Sequence, residues 1–368
     1  MKGNEFHYFA GGNTSKGFYS LFESALNKLD KLYILKGGPG NGKSTLMKKI
    51  AGSMVAAGFD TEYLHCSSDA DSLDGIVIPS LKIGIVDGTA PHVIEPKIPG
   101  AVEEYVNLSA AWDTKQLAEN KDVIQQLSAE KQKAYTTAYE NYNKALAIHD
   151  EWEAIFISNT DYDQLDELAE DLQKQFFGDL TLNKDSVISH RFLGAATPIG
   201  AVDFVPNLTE GVRKRYFLKG RPGTGKSTLL KRLAKTAKAK GFDVEIYHCG
   251  FDPNSLDMLI FRELGIAIFD STAPHEYFPT REGDEIIDLY NLAITSGTDE
   301  KYESELQEIQ EAYKSSMDEA TVYLAKAKAA HEKLENIYVN ATDFKIVDQI
   351  TTQLEEAIQN KAEVFNRL

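Results

Sequence analysis

Cysteine is nearly absent from this chain: Cys66 and Cys249 stand alone among 368 residues, too few for a disulfide framework. They occupy matching places in two related halves and read as reduced, cytoplasmic thiols. Long apolar runs are missing as well, so no membrane span is expected. The opening segment MKGNEFHYFAGG has no basic start, apolar middle and small-residue cleavage site of a secretory leader. A cytoplasmic location is therefore the expectation. Positive charge is scarce, with 39 Lys and Arg against 56 Asp and Glu and a net charge of −17. Such a field repels polyanions, which argues against nucleic acid as a partner, although a local basic patch stays open. Arginine is missing altogether before Arg191. What is present, 42% apolar and 26% charged residues, is the balance of a globular protein, and the length suffices for two ordinary domains.

The chain is one unit written twice. A shift of 183 positions carries LKGGPGNGKSTL onto LKGRPGTGKSTL, and Lys43 onto Lys226. The same shift matches Gly58-Phe59-Asp60 with Gly241-Phe242-Asp243, His65-Cys66 with His248-Cys249, and Ser72-Leu73-Asp74 with Ser255-Leu256-Asp257. It also matches Thr89-Ala90-Pro91-His92 with Thr272-Ala273-Pro274-His275. After a one-residue slip, His149 to Asp161 resembles His331 to Asp343. The division is expected near residue 186, giving repeats over 1–185 and 186–368. Each has a core (about 1–112 and 186–296) and a helical hairpin (about 113–180 and 297–366).

Within each half, an apolar run (Leu32 to Leu35; Tyr216 to Leu218) predicts a buried strand leading into the Gly-rich loop. A helix follows, closed by Gly58 or Gly241 at its C-cap. A second strand is expected from Glu62 to His65 (Glu245 to His248), a short helix near Asp69, and a third strand from Ile83 to Val86 (Ile266 to Phe269). Strands alternating with helices predict an α/β fold with parallel sheets. From Thr114 to Phe156 the chain has no Gly or Pro, and apolar residues recur at helical spacing; the break at Asn159 to Asp161 precedes a second amphipathic helix. The other half predicts a long helix from Glu300 to Tyr338 and another from Phe344 onward. Their stripes are those of ordinary packing, in hairpins that project from the cores or fold onto them.

Gly37-Gly38-Pro39-Gly40-Asn41-Gly42-Lys43-Ser44-Thr45 and Gly220-Arg221-Pro222-Gly223-Thr224-Gly225-Lys226-Ser227-Thr228 both match the pattern G-x-x-x-x-G-K-[ST]. Glycines let successive backbone N–H groups turn inward toward phosphate oxygens, and the helix that begins at the lysine adds its positive end. Lys43 and Lys226 have the reach to contact β- and γ-phosphates. Ser44 and Ser227 offer a hydroxyl to Mg²⁺. Asp87 and Asp270, each ending the third strand, suit the same magnesium shell. A chance Gly-rich turn is the alternative, and two matches in register inside a duplication make it remote.

On these motifs each half resembles a P-loop NTPase, and the whole resembles a family of bacterial tandem P-loop ATPases. The resemblance covers nearly the full chain and implies ATP binding and hydrolysis with Mg²⁺. Several departures qualify it. Gly88 and Ser271 stand where AAA+ and ABC-type ATPases place a catalytic glutamate. There is no LSGGQ-like stretch and no DxxG element, and ATP is the favoured nucleotide. The loop and strand-end aspartate of each repeat both precede its long helices, unlike the SMC arrangement.

Replacements for the missing base are sought at the carboxyl ends of the strands: Asp69 and Asp74 (Asp252 and Asp257), and His92 (His275). Helix capping is the alternative for the aspartates, and packing of a turn for the histidines. A zinc site from His65, Cys66 and His92 is disfavoured, since neighbouring strand residues face opposite ways. An arginine finger for the first site has to come from the second half or another molecule, with Arg262 and Arg281 as conceivable donors and an ordinary surface role preferred for each. Three readings remain. The first is an ATPase whose sites move the hairpins or a protein or small-molecule client, the second a small-molecule kinase using a strand-end Asp, the third a nucleotide-gated binding protein. An oligomer stays open.

Overall fold

A computed structural model describes residues 2–367 as a mixed α/β protein with a large sheet and flanking helices. Each repeat contributes eight strands. They are β1 (Glu5–Phe9), β2 (Gly11–Thr14), β3 (Gly17–Ser20), β4 (Lys31–Lys36), β5 (Thr61–Cys66), β6 (Asp69–Ile78), β7 (Ile83–Asp87) and β8 (Glu103–Asn107) in the first. The second has β9 (Ile188–Phe192), β10 (Gly194–Thr197), β11 (Gly200–Asp203), β12 (Lys214–Lys219), β13 (Val244–His248), β14 (Leu256–Phe261), β15 (Ile266–Asp270) and β16 (Asp284–Asp288).

Twelve strands form one sheet in the order β16-β12-β15-β14-β13-β9-β1-β5-β6-β7-β4-β8, whose two halves mirror each other. They join where β1 meets β9 antiparallel at Phe9 and Phe192. A four-stranded sheet, β11-β10-β2-β3, covers this seam. The expectation of parallel sheets holds only in part. β4 runs parallel to β7 and β8, and β1 parallel to β5, but β6 lies antiparallel between β5 and β7. The second repeat does the same with β14.

That strand replaces the short helix expected near Asp69. The run from Leu73 to Ile78 is fully buried between two neighbours, a setting in which Ile and Val pack well on a pleated surface. Asp69 opens a strand instead of capping a helix. In the second repeat Asp252 instead holds a turn ahead of β14, its Oδ1 accepting from Asn254 N at 3.1 Å.

The expected loop helices run Lys43–Ala56 and Lys226–Ala239, and the hairpins comprise Lys121–Ile157 with Tyr162–Phe177 and Glu303–Asn340 with Phe344–Arg367. The two long helices, each about 55 Å by the 1.5 Å rise per residue, lie antiparallel against each other. Ala138 and Tyr142 pack with Ala320 and Leu324 at the centre, while Lys131 reaches His331 and His149 reaches Tyr313 toward the ends.

Each hairpin therefore ends on the opposite core. Leu172, Phe176 and Phe177, from the first repeat, fill the core of the second beside Tyr216, Leu229 and Leu233. Val347, Leu354 and Ile358 of the second do so in the first, beside Tyr33, Leu46 and Ile50. Each such buried side chain contributes about 1.5–3 kcal/mol, so the exchange is a substantial part of both cores. Backbone hydrogen bonds clasp it at both ends: Asp343 N donates to Ala111 O at 2.8 Å, and Asp161 N to Ala293 O at 2.7 Å. Among the described residues no helix is long and apolar enough to cross a membrane.

Candidate functional site

β4 and β12 are buried apolar runs that deliver the two glycine-rich segments to the same place in each repeat, the carboxyl end of a central strand. Gly42 and Gly225 sit at φ 81° and 92°, a left-handed conformation that bends the chain into its helix at Lys43 and Lys226. Both lysines are 9% exposed and turn back over their own loops. Lys43 Nζ donates to Gly38 O at 2.6 Å and stands 3.5 Å from Asp87 Oδ2. Lys226 Nζ donates to Gly220 O and Arg221 O, both at 3.0 Å, and stands 3.6 Å from Asp270 Oδ2. The loops themselves are half-buried, with Asn41 and Thr224 buried and Thr45 and Thr228 exposed on the first helical turn.

The other expected residues divide into those gathered here and those turned away. Ser44 Oγ accepts from Leu73 N, and Ser227 Oγ from Leu256 N, each at 3.0 Å, which ties each loop to β6 or β14. Asp87 Oδ1 accepts from Thr89 N and Oγ1, and Asp270 Oδ1 from Thr272 N and Oγ1, so each acid is held at its strand end. Asp74 and Asp257, on the adjacent strands, are buried beside them. Burial, then the nearby Asp87 charge, raises the Asp74 pKa, and its Oδ2 has no hydrogen-bond partner. Burial and Asp270 push Asp257 up to about 7.

The histidines differ between repeats. His92 Nε2 lies 3.5 Å from Asp74 Oδ1, and its buried Nδ1 is unpartnered. His275 Nδ1 meets Asp203 Oδ2 at 2.8 Å, and Asp203 also accepts from Tyr277 OH at 2.6 Å. Burial works to lower the His275 pKa, and the Asp203 carboxylate outweighs it and raises it. The positions matching Asp203 and Tyr277 are Ser20 and Ile94, so the first repeat has no such relay.

Asp69 is drawn elsewhere. Its Oδ1 accepts from Lys328 Nζ at 2.9 Å, on the long helix of the other repeat, and its Oδ2 from Ser72 Oγ at 2.7 Å. Burial would raise its pKa, but these two donors hold it below the ordinary carboxylate value. Its counterpart Asp252 faces Lys16 at 4.0 Å.

Two readings that the sequence disfavoured also lack the geometry. Arg262 pairs with Glu245 and Arg281 donates to Glu210 O and Thr209 O, so neither stands ready as a finger for the first loop. His65 Nε2 pairs with His7 Nδ1 at 2.8 Å rather than with His92, and burial pushes its pKa down to about 4. Burial, then the Asp74 and Asp257 charges, keeps the Cys66 and Cys249 thiols protonated. The zinc reading thus lacks its geometry.

The residues that sequence reasoning missed come from the exchanged hairpins. A methyl placed on Gly40 would stand 2.8 Å from Val339 Cγ2 and 2.9 Å from Glu335 O; one on Gly38 would stand 2.8 Å from Tyr338 Cε1. In the second repeat, a methyl on Gly223 would stand 2.5 Å from Glu153 O, and one on Gly225 2.8 Å from Leu165 Cδ1. Glycine is required at 40 and 223 because a foreign helix backbone rests on each, at φ 68° and 78°. The signal was present in the tails: His149-Asp150-x-x-Glu153 reappears as His331-Glu332-x-x-Glu335.

Searches of protein-family models, of curated proteins and of solved structures return no match to this chain.

The raised pKa of Asp257 has a measurable consequence. The folded chain holds a proton that the unfolded carboxyl (about 3.9) releases, so stability falls as pH rises from about 4 to 7 and the penalty is complete at pH 8. Asp257→Asn removes the charge. It is expected to gain up to about 4 kcal/mol in urea unfolding at pH 8, and far less at pH 5. An equal gain at both pH values would contradict this account.

Proposed function

We propose that the two glycine-rich loops bind MgATP and hydrolyse it, and that the hairpins resting on them move with the nucleotide state. The observation that carries this is the convergence, twice in one chain, of an inward-bent loop, a buried lysine and a strand-end aspartate within 3.6 Å of that lysine. Each lysine bonds carbonyls of its own loop, and a triphosphate would give that ammonium a stronger, charged acceptor.

The residues present fit magnesium. Ser44 and Asp87, with Ser227 and Asp270, are oxygen-only donor sets suited to a hard cation, and a buried oxygen beside the first set, Asp74 Oδ2, lacks a partner. When bound with the nucleotide, such an ion would neutralise phosphate charge. The chain's own part is to cradle the phosphates with loop amides, to hold their charge with Lys43 or Lys226, and to keep bulk water out beneath the hairpin.

A second reading, phosphoryl transfer to a hydroxyl, is favoured by one observation. Asp257, at about 7, has the basicity of a general base at neutral pH. The client of either activity is a molecule that the hairpins or the strand ends would contact. Purified protein is expected to release phosphate from MgATP faster than from MgGTP, with no added acceptor. Release that depends on a metabolite would favour the kinase reading. Tight binding without turnover would favour a nucleotide-gated binder, and absence of binding in calorimetry would overturn all three.

A further inference from the structure

We infer that the glutamate missing from each strand end is supplied across the molecule: Glu335 serves the first glycine-rich loop and Glu153 the second, each orienting the water that attacks the γ-phosphate. This inference rests on the ATPase reading above.

Three independent observations lead to it. Gly88 and Ser271 follow Asp87 and Asp270, so neither repeat has a carboxylate of its own at that place. The backbones of Glu335 and Glu153 lie directly on Gly40 and Gly223, inside the loops, although these helices belong to the opposite repeats. And the pattern is kept in both tails while most of the helix surface around it differs: His331-Glu332-x-x-Glu335 against His149-Asp150-x-x-Glu153.

The surroundings fit the task. His331 Nε2 lies 3.6 Å from Glu335 Oε1 and His149 Nδ1 3.8 Å from Glu153 Oε1, one turn away on the same helix face, so an imidazole stands beside each carboxylate. Burial, then Asp69 and Glu332, raises the Glu335 pKa, while Lys43 is close enough to act against them. His149 is half-buried in the field of Lys226 and Asp252, as His331 is in that of Lys43, Asp69 and Asp87. The Glu335 carboxylate is thereby partly desolvated and more basic than in water, which suits proton acceptance.

The step balances without any further reactant. The glutamate carboxylate accepts a proton from water as the water oxygen bonds to the γ-phosphorus. The bond from that phosphorus to the β,γ-bridging oxygen breaks, ADP leaves with the electron pair, and the proton passes from glutamate to solvent with inorganic phosphate.

The crossed geometry gives a test that a structural role does not imitate. In a Lys226→Ala background the first loop carries most of the turnover, and Glu335→Gln there is expected to lower kcat for MgATP at least about 10-fold with KM within about threefold. In a Lys43→Ala background Glu153→Gln is expected to do the same, and Glu→Asp at either position to restore part of the rate. Calorimetry with MgATP reports binding in each variant. If binding is intact and kcat unchanged, or if the loss appears with Glu153→Gln in the Lys226→Ala background, the crossed assignment is overturned and the ATPase reading survives. If the unmutated chain binds MgATP without turnover, the glutamate assignment falls; if it binds none, both fall.

Discussion

Replacing both loop lysines is expected to lower MgATP turnover by more than about 100-fold, and the single variants to lower it by unequal factors. Each lysine is the one cation buried inside its loop, beside an aspartate that it also neutralises. On the proposed function, its removal would leave the nucleotide phosphates facing Asp87 or Asp270 without a counter-charge. The inequality follows from what remains. After Lys226→Ala, the second loop keeps Arg221, whose guanidinium pairs with Asp299 at 2.9 Å and stacks on Tyr290. After Lys43→Ala, the first loop has Gly38 at that position and no replacement. The second site also has the His275–Asp203–Tyr277 relay, which Ser20 and Ile94 deny the first. Site one should thus lose the larger share of its own rate. Phosphate release by each single variant and the double, with unfolding curves to show that the fold survives, checks this. Equal losses would mean that Arg221 and the relay contribute nothing.

How far the sequence reveals this arrangement depends on the range of the forces involved. The loops, their strands and helices, and the break at Asn159 to Asp161 are set by local chemistry: apolar runs, glycines with positive φ, and an N-cap at Asp161 whose side chain accepts from Asp163 N and Gln164 N. Each of these reads correctly. β6 does not, because its strand state is imposed by β5 and β7 on either side, and the Asp-rich start resembles a helix cap. The exchange of hairpins is invisible for a related reason. Leu172 and Leu354 look alike in any amphipathic helix, and only tertiary packing decides which core receives them. Asp69 illustrates the cost. Its spacing from the loop marks it as a base, yet Lys328, 259 positions away, claims its carboxylate.

The seam between the repeats sets the second large effect: Arg191→Ala is expected to destabilise the chain by about 3–5 kcal/mol. Arg191 on β9 donates to Glu62 Oε1 at 2.6 Å, Tyr8 OH donates to Glu62 Oε2 at 2.6 Å, and the guanidinium lies 4.4 Å over the Tyr8 ring. Arg191 and Glu62 are both at least nine-tenths buried, so truncation leaves a carboxylate with no charge partner and no water. The corresponding Arg262–Glu245 pair is a contrast: it is about a third exposed on the arginine side, and its loss should cost about 1 kcal/mol. Tyr8 and Arg191 occupy the same position in the two repeats, so an identical pair of units would oppose two tyrosines or two like-charged arginines there. Divergence of this one position replaces that like pairing with a stack and an ion pair. Urea unfolding of Arg191→Ala, Arg191→Lys and the double variant Arg191→Met, Glu62→Leu separates the terms. Lysine keeps the charge but loses the planar stack, and should recover only part of the loss. The apolar pair should recover most of it, since it leaves nothing buried and charged. A loss for Arg191→Ala no greater than for Arg262→Ala would show that the seam is held by packing of Phe9 and Phe192 alone.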